Sequence, residues 1–212
     1  MNCIILADKF DRGMKSRGCS SLIPVSNNKL LIQDQYSKLK KVFPESKIIY
    51  IYGHESKKIE NFYKSNSLDI VLTKNDMYNT KGCGYSLFLA EKYITDNCLI
   101  LPGNRKFNTE VLKTIDRNNS QIFINKKIKY KLGCHVIKEN YAKQICYNSE
   151  NYISDLYYIN EKDVDILKHL VNDNNNNNNF VFEIINKMIN HGVSFQIKNI
   201  NSKNKFNKIF TR

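Results

Sequence analysis

The residues with the most evident chemical potential stand at the end of an apolar run. Residues 99–104, LILPGN, place Asn104 directly after a Pro-Gly pair. This pattern predicts a buried strand that ends in a tight turn, with one polar side chain at its tip. Ligands of α/β proteins bind at such strand tips, so Asn104 is a candidate site residue. An aspartate there would be a candidate metal ligand, whereas asparagine offers only a neutral carbonyl oxygen.

Strands and helices alternate over the first hundred residues. Apolar runs predict strands over residues 2–7, 47–52, 68–72 and 98–101, and helical spacing predicts helices over residues 32–43, 55–65 and 85–94. Such alternation predicts a mostly parallel sheet with helices on both faces. The polar loops that follow the strands, residues 7–21, 53–55, 73–84 and 102–106, would then surround one ligand crevice.

The second half of the chain has a mixed pattern. It predicts helices over residues 108–118, 139–147, 161–171 and 180–190, and strands over residues 120–124, 129–137 and 193–200, the second of them antiparallel to a neighbour. Residues 172–179 are rich in asparagine and are expected to form a surface loop outside the core. Residues 202–212 form a basic C-terminal tail. We expect residues 1–212 to be a single domain.

Composition favours a cytoplasmic protein with a polyanionic partner. No apolar run approaches the length of a membrane span, and the apolar N-terminal run is too short for a signal peptide. Six cysteines without a CxxC pair and four scattered histidines argue against zinc and for reduced thiols. The net charge of +13 suggests binding to nucleic acid, nucleotide or an acidic surface. The abundance of lysine, asparagine and isoleucine is equally expected from an AT-rich genome.

The segments after the first strand resemble the opening loop of the sugar-nucleotide and choline-phosphate nucleotidyltransferase superfamily. The family has LAAG-x-G-x-R-M followed by PK-x-L, and Leu6, Ala7 and Met14 match. Lys9 and Asp11 replace the two glycines, which matter because they let the backbone approach phosphate closely. Arg12 lies one residue from the family arginine, and Ser20 replaces the family lysine.

Later segments extend the resemblance. The segment from Asn79 to Ser86-Leu87 partly matches an Asn-x-x-Ser-Leu word, and residues 182–186 resemble a late helix of the family. Asn104 stands where the family has a Mg²⁺-binding aspartate after glycine. Asn201, in Ile-Asn-Ser, stands where a second metal aspartate occurs in Ile-Asp-Thr. The resemblance implies a Rossmann-like, three-layer αβα sandwich of the GT-A type with a mostly parallel mixed sheet.

The replacements favour a catalytically degenerate protein. Ser20, Asn104 and Asn201 would be remnants of catalytic positions, and no metal or other cofactor is expected. The residues expected to line the nucleotide crevice are Leu6, Ala7, Asp8, Lys9, Arg12, Lys15, Asn79 and Ser86. Nucleotide binding would be weak or absent, and the partners would be other subunits of an assembly, such as a phage or virus particle, or a polyanionic surface. No membrane partner is expected, and the location would be the cytoplasm, of a host if the gene is viral, or a virion.

Three alternatives remain open at this stage. The first is an active enzyme that transfers a nucleotidyl group from an NTP to a sugar phosphate or a phosphocholine-like acceptor with Mg²⁺. The second is a basic module that binds nucleic acid or another polyanion. The third gives the positions ordinary structural roles, with Asn104 as a helix cap, Ser20 as a turn residue and Ser86 as a residue in the first turn of a helix.

Overall fold

A nine-stranded sheet is the centre of the computed structural model, which describes residues 1–10, 18–26, 29–125, 132–137, 140–149, 151–200 and 206–209. The strands are β1 (Asn2–Ala7), β2 (Pro24–Ser26), β3 (Lys29–Leu30), β4 (Lys47–Tyr52), β5 (Val71–Lys74), β6 (Cys98–Pro102), β7 (Arg105–Phe107), β8 (Ser120–Ile124), β9 (Leu132–Ile137), β10 (Tyr141–Tyr147), β11 (Ile153–Ile159), β12 (Phe195–Asn199) and β13 (Phe206–Lys208). The helices are α1 (Leu31–Val42), α2 (Ser56–Lys64), α3 (Cys83–Leu89), α4 (Thr109–Lys113), α5 (Val164–Asn172) and α6 (Val181–Asn190).

The order of strands in the sheet is β5-β4-β1-β6-β11-β8-β12-β10-β9. The strands β5, β4, β1 and β6 are parallel neighbours, as are β8 and β12. The other four pairings, which involve β10 and β11, are antiparallel. The predicted mixed sheet is therefore confirmed, but the expectation that it is mostly parallel is wrong. An apolar run predicts a buried strand, but it does not predict whether that strand is parallel or antiparallel to its neighbours.

Two apolar clusters lie on opposite faces of this sheet. Consecutive side chains of a strand point to opposite faces, and accordingly Ile4 belongs to one cluster while Cys3 and Ile5 belong to the other. Helices α3, α5 and α6 contribute to the cluster that contains Ile4, and helices α1, α2 and α4 contribute to the second cluster. Helices thus cover both faces, and the carboxyl ends of the central strands remain accessible at one edge.

The predicted helix over residues 139–147 is wrong, because the chain forms strand β10 there. The inward residues Ala142 and Ile145 are three positions apart, which is a helical spacing. A β-bulge produces this spacing, since the register with β9 shifts between Ala142 and Gln144. Strand β11, which the sequence pattern did not predict, pairs with both β6 and β8 in the middle of the sheet.

Several local predictions are confirmed. Helix α1 ends at Val42, before Pro44, and Gly192 follows helix α6 with a φ angle of +90°. The helix predicted over residues 108–118 is present as α4, but it is shorter than predicted and ends at Lys113. In the described part of the basic tail, Phe206 is buried and β13 pairs with β7. None of the helices in the described part of the chain combines the length and apolar composition needed to cross a bilayer.

Candidate functional site

A cavity of about 320 Å³ opens at the carboxyl ends of β1 and β6, where the sequence predicts a ligand site. We call it the crevice. Its polar lining consists of Asp8 and Lys9 after β1, Cys83 at the start of α3, Asn104 after β6, and Asp155 and Tyr157 on β11. Apolar side chains such as Leu6 and Ile100 complete the wall. A concave apolar site with a few convergent polar groups is the usual form of a small-molecule site.

Gly103 fixes the position of Asn104 in the crevice. The Gly103 N–H donates a hydrogen bond to the Leu6 carbonyl oxygen over 2.7 Å, which joins the tips of β1 and β6. A Cβ atom on residue 103 would overlap the Cβ of Ala7 and lie only 2.7 Å from its Cα. Glycine is therefore required by the close approach of two backbones. The predicted site residue Ala7 acts here as a packing partner of the turn.

Asp8 is buried in a hydrogen-bond network beneath the crevice. Its Oδ2 atom accepts hydrogen bonds from Asn75 Nδ2 at 2.8 Å and from Ser86 Oγ at 2.9 Å, and the residue is 1% exposed. Burial raises the pKa of the Asp8 carboxyl, and the nearby ammonium of Lys9 and the two hydrogen bonds offset part of that rise. Ser86 thus fixes the position of the Asp8 carboxylate through this hydrogen bond, and Ser86 itself does not line the crevice.

The ammonium group of Lys9 is engaged by backbone oxygens. It donates hydrogen bonds to the carbonyl oxygens of Tyr78, at 2.7 Å, and of Lys81. It also lies 3.8 Å from the Asp8 carboxylate. An ammonium has three N–H donors, so two of them serve the loop that precedes α3. Lys9 therefore ties the end of β1 to this loop.

Strand β11 contributes a carboxylate that was not among the site residues predicted from the sequence. Asp155 has a φ angle of +58°, and the register of β11 against β8 shifts between Ile153 and Tyr157. This bulge turns Asp155 toward the crevice, where its Oδ2 lies 2.6 Å from Nη2 of the buried Arg105. In the sequence, the indication of this role is a single acidic residue within the otherwise largely apolar segment ISDLYYI.

Two other lining groups remain neutral at ordinary pH. Tyr157 is 1% exposed, and burial raises the pKa of its phenol well above the usual value. Its hydroxyl has no hydrogen-bond partner within the described part of the chain. Burial also raises the pKa of the Cys83 thiol, to about 11. The wall of the crevice therefore contains a neutral, buried phenol, and Cys83 provides no thiolate nucleophile.

Aromatic side chains form the mouth of the crevice. The rings of Phe180 and Phe182 stack with centroids 5.8 Å apart, and Tyr147 meets Phe182 edge-on at 6.1 Å. Tyr147 and Phe180 are both largely exposed. Aromatic faces that are open to solvent at the rim of a cavity offer a contact surface to a ligand or a partner.

The asparagine-rich segment supports the helix behind the site, although most of its residues are exposed. Asn176 and Asn177 are buried. The carbonyl oxygens of Asn179 and Asn177 accept hydrogen bonds from the N–H groups of Gly84 and Tyr85, at 2.9 and 3.1 Å. The first N–H groups of a helix have no partner within the helix, and this segment supplies two of them for α3. Any Cβ at residue 84 would overlap the Asn176 carbonyl, so glycine allows this contact.

The structure brings together some of the predicted site residues. Leu6, Asp8, Lys9 and Asn104 line the crevice. Ser20 is buried in the short 3₁₀ turn Ser20–Leu22, and Asn79 is exposed on its loop; neither lines the crevice. The remaining predicted residues, Arg12, Lys15 and Asn201, lie outside the described residues.

The described donors of the crevice do not fit a Mg²⁺ site. Asn104 offers a neutral amide, and the carboxylate of Asp155 is paired with Arg105. Asp8 is buried and held by two hydrogen bonds. Within the described ranges, no group of three histidine, cysteine or acidic side chains is arranged to hold a metal ion. Mg²⁺ in proteins is usually anchored by one or two available carboxylates.

Comparison with known structures identifies the fold. No family model and no curated protein sequence matches the chain. Three solved structures are similar over 98% of this chain. They are a CTP:phosphocholine cytidylyltransferase from Streptococcus pneumoniae (TM-score 0.77, 15% identity, 92% of that chain), an inositol-1-phosphate CTP transferase from T. maritima (0.74, 15%, 88%) and a putative glucose-1-phosphate thymidylyltransferase from Bacillus anthracis (0.72, 16%, 89%). The chain therefore has a nucleotidyltransferase-like fold.

Proposed function

We propose that this chain is a GT-A-type relative of the nucleotidyltransferases that has lost metal-dependent nucleotidyl transfer and serves as a binding component. The observation that carries the proposal is the position of Lys9. Nucleotidyl transfer must neutralise the charge that develops on the leaving pyrophosphate, which requires cations directed at the phosphates. The Lys9 ammonium instead serves the Tyr78 and Lys81 carbonyls and lies beside Asp8.

The charge of the crevice supports the same proposal. Asp8 and Asp155 are the acidic residues among its described lining, and they offset the positive charges of Lys9 and Arg105. The guanidinium of Arg105, the cation that faces Asp155, is already paired with that carboxylate at 2.6 Å. The described donors also leave Mg²⁺ without an available carboxylate, so the ion would not supply the positive charge that the phosphates need.

The architecture supports the GT-A assignment. Helices α1, α2 and α4 cover one face of the nine-stranded sheet, and α3, α5 and α6 cover the other. These three layers place the crevice at the carboxyl ends of parallel strands β1 and β6, at the edge where α/β proteins bind ligands.

The binding role is supported by what the crevice retains. It has the volume of a small-molecule site, a buried phenol and an exposed aromatic mouth. Tyr147 and Phe180 at that mouth are the kind of exposed apolar surface that packs against another subunit. We therefore place the protein in an assembly, and a virus particle is the setting that agrees with its AT-rich composition.

Calorimetric titration tests the loss of activity. The purified chain is titrated with CTP, UTP, GTP and ATP, each with and without Mg²⁺. We expect no Mg²⁺-dependent binding in the micromolar range. Micromolar, Mg²⁺-dependent binding would overturn the proposal and would favour active transfer to a sugar phosphate or a phosphocholine-like acceptor. Lys9→Met is the matched variant, and it should lower any residual nucleotide affinity less than about threefold, because two of the three ammonium donors are engaged by backbone oxygens.

A restored carboxylate provides a second test. Asn104→Asp returns an acidic side chain to the tip of β6, where it lines the crevice. We expect no turnover of CTP with phosphocholine or glucose 1-phosphate, measured as pyrophosphate release, because the arrangement of Lys9 and Asp155 is unchanged. Measurable turnover in this single variant would show that the other changes do not prevent catalysis.

A further inference from the structure

The charged groups of the crevice are balanced in pairs. The Lys9 ammonium lies 3.8 Å from the Asp8 carboxylate, and Nη2 of Arg105 lies 2.6 Å from Asp155 Oδ2. Each acidic residue of the described lining therefore has a cation beside it. Because each charge is largely cancelled by its neighbour, neither an anionic nor a cationic ligand gains much attraction from this site. The described lining thus favours a ligand without net charge.

Most of the described lining is apolar, and its mouth is aromatic. Leu6, Ile100 and Leu132 are among the aliphatic side chains of the wall. At the mouth, the ring planes of Phe180 and Phe182 are nearly parallel, with an angle of 14° between them. Aromatic rings prefer offset-stacked or edge-on contact with another ring. A flat aromatic ligand therefore matches both the wall and the mouth, and the cavity of about 320 Å³ has the size of a small-molecule site.

Asp155 supplies a hydrogen-bond acceptor to this apolar site. Its ion pair with Arg105 uses Oδ2, and a carboxylate has a second oxygen with lone pairs of its own. The Asp155 side chain is 43% exposed and lines the crevice, so Oδ1 can accept a hydrogen bond from a ligand. A φ angle of +58° is uncommon for a residue other than glycine, and such strained positions cluster at ligand sites. The matching ligand therefore carries an N–H or O–H group.

We propose that the crevice binds a neutral aromatic small molecule with one N–H or O–H donor, as phenols and indoles have. The ring packs between the aromatic mouth and the aliphatic wall, and its donor makes a hydrogen bond to Asp155. This inference rests on the proposed function, because it assigns a ligand class to a crevice that does not take a metal-bound nucleotide.

Indole and benzofuran are the matched probes for this site. They have nearly the same size, but benzofuran has an ether oxygen where indole has its N–H group. Titration of the whole chain, followed by saturation-transfer NMR, should give a Kd below about 1 mM for indole. The Kd for benzofuran should be at least about fivefold higher, because benzofuran cannot donate to the Asp155 carboxylate. Absence of saturable indole binding, or equal affinity for the two probes, would overturn the proposal.

Charged derivatives of indole test the charge balance. Indole-3-acetate adds a carboxylate and tryptamine adds an ammonium, and neither should bind more than about threefold tighter than indole. A larger gain for either derivative would overturn the assignment of a neutral ligand. N-acetyltryptophanamide tests whether the ring belongs to a partner protein. If it binds more than about threefold tighter than indole, the ligand is a partner's side chain and the small-molecule proposal is wrong.

Two exposed side chains provide variants that locate the binding. Phe180 lines the crevice and Met77 does not, and both side chains are exposed, so neither change to alanine should unfold the protein. Phe180→Ala should weaken indole binding about fivefold, because an aromatic contact is lost. Met77→Ala should change the Kd for indole less than about twofold. Equal effects of the two variants would mean that indole binds elsewhere.

Asp155→Ala tests the hydrogen bond itself. This variant should lose the preference for indole over benzofuran, and retained benzofuran binding is the internal control for a folded crevice. A preference that persists would refute the role of Asp155. The nucleotide titrations remain a separate test. Micromolar, Mg²⁺-dependent nucleotide binding contradicts the proposed function whether or not indole binds, whereas failure of indole to bind refutes the ligand class alone.

Discussion

Replacing Asn176 by alanine tests the structural role of the asparagine-rich segment. Asn176 is 1% exposed, and its side chain makes three hydrogen bonds. Its Nδ2 donates to the Leu170 carbonyl oxygen over 2.7 Å, and its Oδ1 accepts from Asn179 Nδ2 at 3.0 Å and from the Lys187 ammonium. The segment so fixed supports the N-terminus of α3, which carries Ser86 against Asp8.

The expected loss in the free energy of unfolding follows from these three hydrogen bonds. The Leu170 carbonyl keeps a weaker bond from the Asp173 N–H at 3.3 Å, and the half-buried Lys187 ammonium can regain water. With about 1 kcal/mol for each neutral bond and a similar discounted value for the bond to the ammonium, Asn176→Ala should lower the free energy of unfolding by about 2–3 kcal/mol. Such a loss is a large fraction of the stability of a typical domain.

Equilibrium urea denaturation measures this loss. The midpoint for Asn176→Ala should fall by about 1 M with an unchanged m-value. Asn175→Ala is the matched control, because Asn175 is exposed in the same run and contributes only its backbone N–H, to Asp173. It should change stability by less than about 0.5 kcal/mol. If the two variants differ by less than about 0.5 kcal/mol, the buried side chain does not anchor the segment and this reasoning is refuted.

Three further predictions concern the crevice. Gly103→Ala should destabilise the fold by about 1–3 kcal/mol in the same urea assay, and adding Ala7→Gly should restore only part, because the Ala7 Cα remains 2.7 Å from the new Cβ; full recovery would contradict this. Burial raises the pKa of Asp8 in the folded state, so folding binds a proton and stability falls as pH rises through that raised pKa. Asp8→Asn should therefore gain stability relative to the wild type as pH rises above about 4, the ordinary pKa of an aspartate, in thermal unfolding; a parallel pH dependence would refute the shift. Asp155→Asn should cost about 1–3 kcal/mol by weakening the pairing of the buried Arg105, and an unchanged urea midpoint would argue against the ion pair.

Local patterns were sufficient for much of the fold and part of the site. Apolar runs identified β1, β4 and β6, and helical spacing identified α1 and α6, because burial of one face depends on residues close in sequence. Asp8 and Lys9 after β1 and Asn104 after β6 lie together at the carboxyl ends of these strands, as predicted. Local spacing was misleading at β10, where a bulge gives Ala142 and Ile145 a helical spacing.

The chain by itself therefore determined which segments are buried and which polar residues follow the strands. Tertiary structure alone decided the rest, because the partners are distant in sequence. Insertion of β11 between β6 and β8 brings Asp155 and Tyr157 to the crevice, and pairing of β13 with β7 buries Phe206 against Phe107. Asn176 and Asn177 are buried because Gly82 and Gly84 leave room for the backbone of this run beside the start of α3. The hydrophobic periodicity of a single segment does not predict such a contact, because the two contacting surfaces are distant in sequence and meet only after folding.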